Sequence, residues 1–268
     1  MKVDNDTTRI KAQSRLSNEQ IIKLLTWSVY LAAIALAEWV VTYSSSQDGM
    51  IIYAGIFLML VFHSYLESQR SERRLLIALT LAPLIQIINV ALPLTGFYHL
   101  YRYVIISIPI LLLTIIVIRI LRFRPPEVGL TLHGLPVQIA VMITGIPLGI
   151  VGYLTLRPER LVVGLNWGDM ILPAIIFILC VGFVQELIFR GVMQTTSTEV
   201  LGKWGILYIS LLFAVLSMGN LSILNMVFMF VVALFFAWVV KRTGSILGVA
   251  AAHGIMSMAV YLAMPAIM

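Results

Sequence analysis

An acid and a base stand four positions apart near the end of an apolar stretch of the sequence. Residues 171–184 carry no charge, and Glu186 and Arg190 follow within the next six positions. Residues i and i+4 share one face of a helix, so these two side chains can pair. An ionisable group at the centre of a membrane segment costs at least ~2.5–3.5 kcal/mol, which marks it as a candidate functional residue. The alternative is an ion pair that only fixes helix packing.

Two later apolar segments repeat the four-residue spacing with other side chains. Phe213 is followed by Ser217, and His253 is followed by Ser257. Residues around His253 are small enough to let another helix backbone approach closely; they are Gly248, Ala250, Ala251, Ala252 and Gly254. Together with Gln185 and the Glu186–Arg190 pair, these residues predict a polar pocket among lipid-facing helices.

The elements that carry these residues are membrane segments. Of the 268 residues, 60% are hydrophobic and 11% are charged, whereas an ordinary soluble domain carries roughly 25% charged residues. Helices are the expected spanning form, because an open strand would leave backbone groups unpaired in lipid. We therefore predict an all-α polytopic transmembrane bundle of about nine spans, of which the second and seventh are short. The nine apolar segments are 22–43, 50–66, 75–94, 103–118, 136–155, 170–190, 205–218, 223–240 and 245–264.

The distribution of cations predicts the orientation of the chain. With a cytoplasmic N-terminus, 15 of the 18 Lys and Arg residues fall on the cytoplasmic side, and Arg102, Arg157 and Arg160 fall on the other. This asymmetry follows the positive-inside rule. The net charge of +6 is thereby explained by membrane orientation, so we expect no nucleic-acid partner. We expect an integral multi-pass protein of a bacterial inner membrane.

A break in the apolar pattern divides the chain. Pro125 and Pro126 stop a helix, and the arginines around them favour the cytoplasmic surface. We predict a four-helix block with a cytoplasmic tail at 1–121, a cytoplasmic linker at 122–135 and a C-terminal membrane core at 136–268. In the first block, Glu38 and His63 lie near segment ends, where structural or interface-reaching roles are expected.

The C-terminal core resembles the CAAX protease and bacteriocin-processing (CPBP) membrane protein family, which includes prenyl-protein endopeptidases. The family pattern is Glu-Glu-x-x-x-Arg, then Phe-x-x-x-His, then His-x-x-x-Asn or a Ser-like residue on three helices, and residues 170–264 follow it in order and spacing. The resemblance implies that Glu186, Arg190, Phe213 and His253 are retained. It also implies three substituted positions: Gln185 for the Glu thought to activate water, Ser217 for His and Ser257 for Asn.

These substitutions bear on peptide hydrolysis. The neutral amide of Gln185 cannot take a proton at pH 7, and Glu186 is turned about 100° around the helix from it. A carboxylate base contributes about 10²–10⁴-fold and an oxyanion donor about 10²–10³-fold. Losing both could cost on the order of 10⁴–10⁷-fold in rate, although Ser217 and Ser257 could still donate hydrogen bonds. Efficient catalysis by the family mechanism is therefore not expected.

No metal or cofactor is expected. Catalytic zinc takes three protein ligands and a water, whereas the predicted pocket offers Glu186 and His253. The single cysteine, Cys180, lies in an apolar run and is expected to be a small buried hydrophobe.

Three functions stay open. A weakly active or non-catalytic member would bind membrane lipids, a transmembrane or lipidated peptide, or the other subunits of a membrane complex. An active intramembrane endopeptidase would cleave near the cytoplasmic face with Glu186 and His253. A transporter or lipid-handling protein would use Glu38 and Glu186, although the sequence has no internal repeat to support it. The missing base favours the first function.

Overall fold

The computed structural model of this chain describes residues 18–92, 94, 96–159, 161 and 170–267. Within these ranges the chain forms helices and turns without a strand, so the predicted all-helical polytopic bundle is confirmed. The described helices follow the nine apolar segments in order: α1 Asn18–Tyr43, α2 Ser46–Leu66, α3 Arg70–Ala91, α4 His99–Ile120, α5 Leu135–Leu156, α6 Ile171–Leu201, α7 Trp204–Val215, α8 Ile223–Thr243 and α9 Leu247–Ile267.

Eight of these helices are long and apolar enough to cross a membrane, and α7 is not. Helix α7 has 12 residues, which gives a length of about 18 Å against a hydrocarbon core of about 30 Å. The prediction of about nine spans thus becomes, over the described ranges, eight full-length candidates and one short helix. Helix α2 is longer than predicted, because Ser45 caps it by accepting a hydrogen bond from the Asp48 amide at 3.2 Å.

Helix α6 runs past the point where the sequence predicted its end. Arg190, one of the 15 cations predicted on the cytoplasmic side and the last residue of the predicted segment, is only 2% exposed inside the helix. The polar residues beyond it remain in the helix, and their hydroxyls are satisfied by carbonyls one turn earlier, as Thr198 donates to the Gln194 oxygen at 2.8 Å. Lys2, Arg9, Lys11, Arg15 and Arg160 lie outside the described residues, and the orientation stays a prediction.

Helix α9 packs closely against α5 and α6 through its small residues. A Cβ atom added at Gly254 would lie 2.5 Å from the Ile178 Cα atom of α6. On another face, the Gly248 amide donates to Gln138 Oε1 of α5 at 2.8 Å. Such close backbone approach is what small residues allow in membrane helices. The expected role of the small residues around His253 is therefore met, and it sets α9 directly against α6.

The segment after α4 packs against the rest of the chain. Pro125–Val128 form one 3-10 turn, and Gly129 then takes φ = +75°, a conformation that suits glycine. The Ile246 amide donates to the Gly129 oxygen at 3.0 Å, which ties this segment to the start of α9. Helices on both sides of residues 122–135 contribute to one buried apolar core. The domain boundaries at 122–135 stay a prediction.

We predict that Gly254→Ala destabilises the protein. The new methyl group would overlap the α6 backbone, and overpacking of this kind costs typically ~1–3 kcal/mol. The measurement is the thermal unfolding midpoint of the detergent-solubilised protein.

The matched control is Gly55→Ala in α2, where an added Cβ has no neighbour within 4 Å. Alanine favours a helix by about 1 kcal/mol over glycine, so the control should unfold at the same temperature or higher. Equal midpoints for the two variants would contradict the close packing of α9 on α6.

Candidate functional site

Glu186, Arg190 and His253 form one buried cluster of charged and polar groups. Glu186 is 0% exposed, and its Oε1 atom lies 2.7 Å from His253 Nδ1. Its Oε2 atom lies 3.1 Å from Arg190 Nε, and Arg190 Nη1 donates to Oε1 at 3.2 Å. Because an ionised carboxylate only accepts hydrogen bonds, the proton between Glu186 and His253 belongs to Nδ1. The acid is therefore bound directly to both partners, with no room for water between it and the histidine.

Two phenylalanines enclose this cluster. The guanidinium carbon of Arg190 lies 4.7 Å from the ring centroid of Phe213 and 5.9 Å from that of Phe236. The His253 ring lies 6.0 Å from the Phe213 ring and 6.1 Å from the Phe236 ring. A cation over an aromatic face is stabilised by the ring electrons, and more so when water is excluded. Phe213 thus stabilises the Arg190 guanidinium, and Phe236 of α8 does the same. The sequence around Phe236 shows only an apolar helix, so its role was not predicted.

Arg190 and the residue one turn later also bind α8. Arg190 Nη2 donates to the Ala233 oxygen at 3.4 Å, and Gln194 Nε2 donates to the Ala237 oxygen at 2.9 Å. These oxygens are backbone carbonyls of α8, so polar side chains of α6 fix the contact between the two helices. Two wide π-type turns, Phe177–Phe183 and Leu187–Met193, interrupt α6 on either side of Glu186, and such turns are frequent at functional sites.

A cavity of about 330 Å³ lies beside the cluster. Its wall includes His253 and all three substituted positions, Gln185, Ser217 and Ser257. Glu186 and Arg190 lie behind His253 and are not among the lining residues. The structure therefore brings all six predicted site residues together, with the Glu186–Arg190 pair buried behind the cavity wall and the other four residues on that wall. Their catalytic roles stay a prediction.

The cavity wall offers little for base catalysis. Gln185 is half-buried and cannot take a proton. The Ser217 hydroxyl donates to the Phe213 carbonyl oxygen of its own helix at 2.9 Å, so His253 does not activate that serine. His253 Nε2 is the remaining basic atom of the six, oriented by the Glu186 carboxylate as in carboxylate–histidine pairs of hydrolases.

The described residues contain no group of three or more His, Cys, Asp or Glu side chains that could hold a metal ion. Cys180 lies on the cavity wall, and it is half-buried where we expected a buried position. Its backbone oxygen accepts a hydrogen bond from Ser107 of α4 at 2.9 Å. Cys180 therefore belongs to the lining of the cavity, beside Ser107.

Glu38 does not reach the membrane interface as the sequence suggested. It is 3% exposed, and its Oε2 atom accepts hydrogen bonds from Tyr53 Oη at 2.5 Å and from Gln86 Nε2 at 2.6 Å. A buried carboxylate is tolerable when donors inside the protein replace water. His63 is half-buried beside the Tyr30 hydroxyl, 2.8 Å from Nδ1, which fits its expected structural role.

Three cavity residues were missed from the sequence. Gln86 and Asn89 of α3 and Asn225 of α8 line the same cavity as Gln185. Each is an amide inside an apolar segment, and this polar residue in an apolar run is the sequence feature that could have marked it as a site residue. Amides are neutral and carry no family motif here, so nothing in the sequence indicated which of them share a wall.

Comparison with known proteins identifies one family. Residues 167–259 match the family model described as type II CAAX prenyl endopeptidase Rce1-like. The matched stretch contains α6, α7, α8 and most of α9, and it overlaps closely with the predicted 170–264, so the resemblance is confirmed. No curated protein and no solved structure matches the chain.

We predict that Arg190→Met is strongly destabilising. It leaves Glu186 buried without a cation, and breaking a buried ion pair from one side costs about 3–5 kcal/mol. Unfolding of the purified protein in a dodecyl sulfate titration measures this loss.

The matched control is Lys23→Met, which removes a cation at 2.9 Å from Glu72 with 35% of the lysine side chain exposed. Exposed pairs contribute about 0.2–1 kcal/mol, so this variant should lose little. A loss for Arg190→Met as small as that of the control would contradict a desolvated ion pair in α6.

Proposed function

We propose that this chain is a multi-pass membrane protein of the Rce1-like family, whose model matches residues 167–259. We further propose that it binds a ligand in its intramembrane cavity. The ligand is a membrane-embedded partner, a peptide or a lipid, and peptide bonds are hydrolysed weakly or not at all. One observation carries the proposal: neutral Gln185 lines the cavity where the family resemblance expects a water-activating glutamate. The eight long apolar helices support a membrane location, and a bacterial inner membrane is our expectation.

Glu186 is a poor substitute for the missing base. It is fully buried and lies 2.7 Å from His253 Nδ1 and 3.1 Å from Arg190 Nε. Turning its carboxylate into the cavity would leave Arg190 buried without a counter-ion, at a cost of about 3–5 kcal/mol. The ion pair thus stabilises the site in a form that keeps the acid away from any bound ligand.

An active endopeptidase is the second candidate, and the Glu186–His253 contact supports it. A carboxylate on Nδ1 orients an imidazole so that Nε2 can act as a general base, and His253 lines the cavity. On the described cavity wall, the ionisable side chains other than His253 are tyrosines and Cys180. The shortage of a second catalytic group weakens this candidate. Transport through Glu38 and Glu186 has less support, since neither carboxylate lines the cavity.

We expect restored activity from Gln185→Glu combined with Ser217→His. The change returns a carboxylate and an imidazole to the cavity wall, and a positioned base gives about 10²–10⁴-fold. Cleavage of a fluorescence-quenched prenylated peptide by the protein in lipid vesicles measures the rate. The wild type should stay near background, and the double variant should exceed it by at least about 10²-fold.

The controls are Glu186→Ala and His253→Ala in the wild-type chain, compared only where the thermal unfolding midpoint shows a folded variant, because Glu186→Ala leaves Arg190 buried without a counter-ion. Robust wild-type cleavage that both substitutions abolish would overturn the proposal and establish the endopeptidase. If the double variant shows no gain, the pocket differs from an active one at more than these two positions.

A further inference from the structure

A second pocket lies at the basic side of the helix bundle, apart from the cavity that Gln185 lines. Its volume is about 210 Å³, and its walls come from the turn after α4, from the far part of α6 and from the last turn of α8. Among its lining residues are Glu127, Arg190, Gln194 and Lys241. Over the described part of the chain, the two pockets share no lining residue, so this one is a separate candidate site.

The residues around this pocket fit the level of the membrane–water interface. Lys241 lies two residues before the end of α8 at Thr243, and Trp238, three residues earlier, is 53% exposed. The guanidinium carbon of Arg242 lies 5.6 Å from the centroid of the Trp238 ring. Exposed tryptophans and basic residues at helix ends are typical of the headgroup level. A lipid headgroup can therefore reach the pocket.

Gln194 leaves one acceptor of the pocket wall without a donor. The residue is 4% exposed, and its Nε2 atom donates to the Ala237 carbonyl oxygen at 2.9 Å. The reverse orientation of the amide would set two acceptors against each other, so the α8 carbonyl fixes it. The Oε1 atom is buried and has no hydrogen bond among the described residues. A buried acceptor without a donor is costly, and a donor bound in the pocket would remove that cost.

The turn after α4 supplies a second acceptor at the rim of the pocket. Glu127 is exposed, and its Oε2 atom accepts a hydrogen bond from the Arg124 backbone amide at 2.6 Å. The backbone oxygen of Glu127 accepts a hydrogen bond from Thr195 Oγ1 of α6 at 3.3 Å. These contacts hold the turn against α6, and the other carboxylate oxygen of Glu127 remains for a ligand.

The charges around the pocket are balanced. Arg190, its buried cation, is already paired with Glu186 at 3.1 Å. At the rim, Glu127 and Lys241 are exposed and carry opposite charges. An anion alone would meet the Glu127 carboxylate, and a cation alone would meet the Lys241 ammonium. A ligand that carries both charges complements both residues.

We propose that this pocket binds the headgroup of a phospholipid with a primary ammonium group, as in phosphatidylethanolamine. The ammonium donates to Gln194 Oε1 and to the Glu127 carboxylate, and the phosphate lies beside Lys241. A primary ammonium has three N–H donors, whereas the trimethylated headgroup of phosphatidylcholine has none and phosphatidylglycerol lacks a cation. The inference goes beyond the proposed function, since it concerns a different pocket and requires no ligand beside Gln185.

The test uses the full chain in dodecyl maltoside micelles with a trace of phosphatidylethanolamine that carries a diazirine in its acyl chain. Crosslinks are mapped by mass spectrometry, and unlabelled lipids compete for the site. For the wild type, phosphatidylethanolamine should halve the labelling beside Lys241 at about a tenfold lower concentration than phosphatidylcholine, because only its headgroup donates hydrogen bonds. Phosphatidylglycerol should compete no better than phosphatidylcholine.

Three substitutions separate the contacts. Gln194→Met removes the buried acceptor and should erase the preference for phosphatidylethanolamine over phosphatidylcholine. Glu127→Gln should reduce that preference by about two- to fivefold, the effect of one exposed charge. Lys241→Met should weaken both lipids equally, by about two- to fivefold, because both contain the phosphate. The matched control is Arg242→Met, which removes the neighbouring cation outside the pocket lining and should bind like the wild type.

Several results would overturn the proposal. Equal competition by phosphatidylethanolamine and phosphatidylcholine in the wild type would do so, as would stronger competition by phosphatidylglycerol. Tighter binding of phosphatidylethanolamine by Lys241→Met would mean that the lysine itself occupies the Gln194 acceptor. Competition by soluble glycerophosphoethanolamine at the concentration of the lipid would replace the lipid with a free headgroup.

Thermal unfolding midpoints identify variants that fail to fold. If Gln194→Met misfolds, the comparison of the lipids in the wild type and the exposed substitution Glu127→Gln still decide the proposal. The peptide-cleavage assay of the proposed function concerns the other cavity, so the two proposals fail separately.

Discussion

The buried contact of Glu186 with Arg190 and His253 is the constraint on which the C-terminal core depends. A charge inside a membrane protein is tolerated only where it is paired and hydrogen-bonded. Glu186 and Arg190 are fully enclosed on α6, His253 reaches them from α9, and Arg190 binds a backbone oxygen of α8. These three helices must therefore meet in one arrangement. The small residues of α9 permit the close approach, and the polar contacts make it specific.

The same contact limits the chemistry of the site. Arg190 and His253 bind the Glu186 carboxylate and thereby hold it away from the cavity. The neighbouring Gln185 lines the cavity instead. One position along a helix is a turn of about 100°, so two adjacent residues of one motif face different surroundings. The Gln185 amide can bind a polar group but cannot take a proton, which leaves His253 Nε2 as the basic atom on this wall. The structure thus combines a stretch that matches the Rce1-like family model at residues 167–259 with a cavity wall in which Gln185 takes the place of an acid.

The N-terminal helices repeat this solution with a different partner. Glu38 is buried like Glu186, but a tyrosine hydroxyl and a glutamine amide satisfy it in place of a cation. Gln86 then extends from this acid to the cavity. Helices from both halves of the chain line one cavity. In each half an amide, Gln86 or Gln185, lines the cavity, and a carboxylate, Glu38 or Glu186, is buried outside the lining. The matched family stretch alone therefore does not complete the site.

The sequence by itself determined the all-helical membrane fold, because long apolar runs can satisfy their backbone in lipid only as helices. The four-residue spacing also placed Glu186 with Arg190 on one helix face, and the family resemblance implied which motif positions are retained and which are substituted. The sequence misjudged the end of α6, where a polar run continues the helix with its hydroxyls bonded to earlier carbonyls. Only the tertiary structure decided that Glu186 meets Arg190 and His253 while Gln185, Asn89 and Asn225 share a cavity. Periodicity defines the faces of each helix, but which faces meet depends on packing between distant segments of the chain.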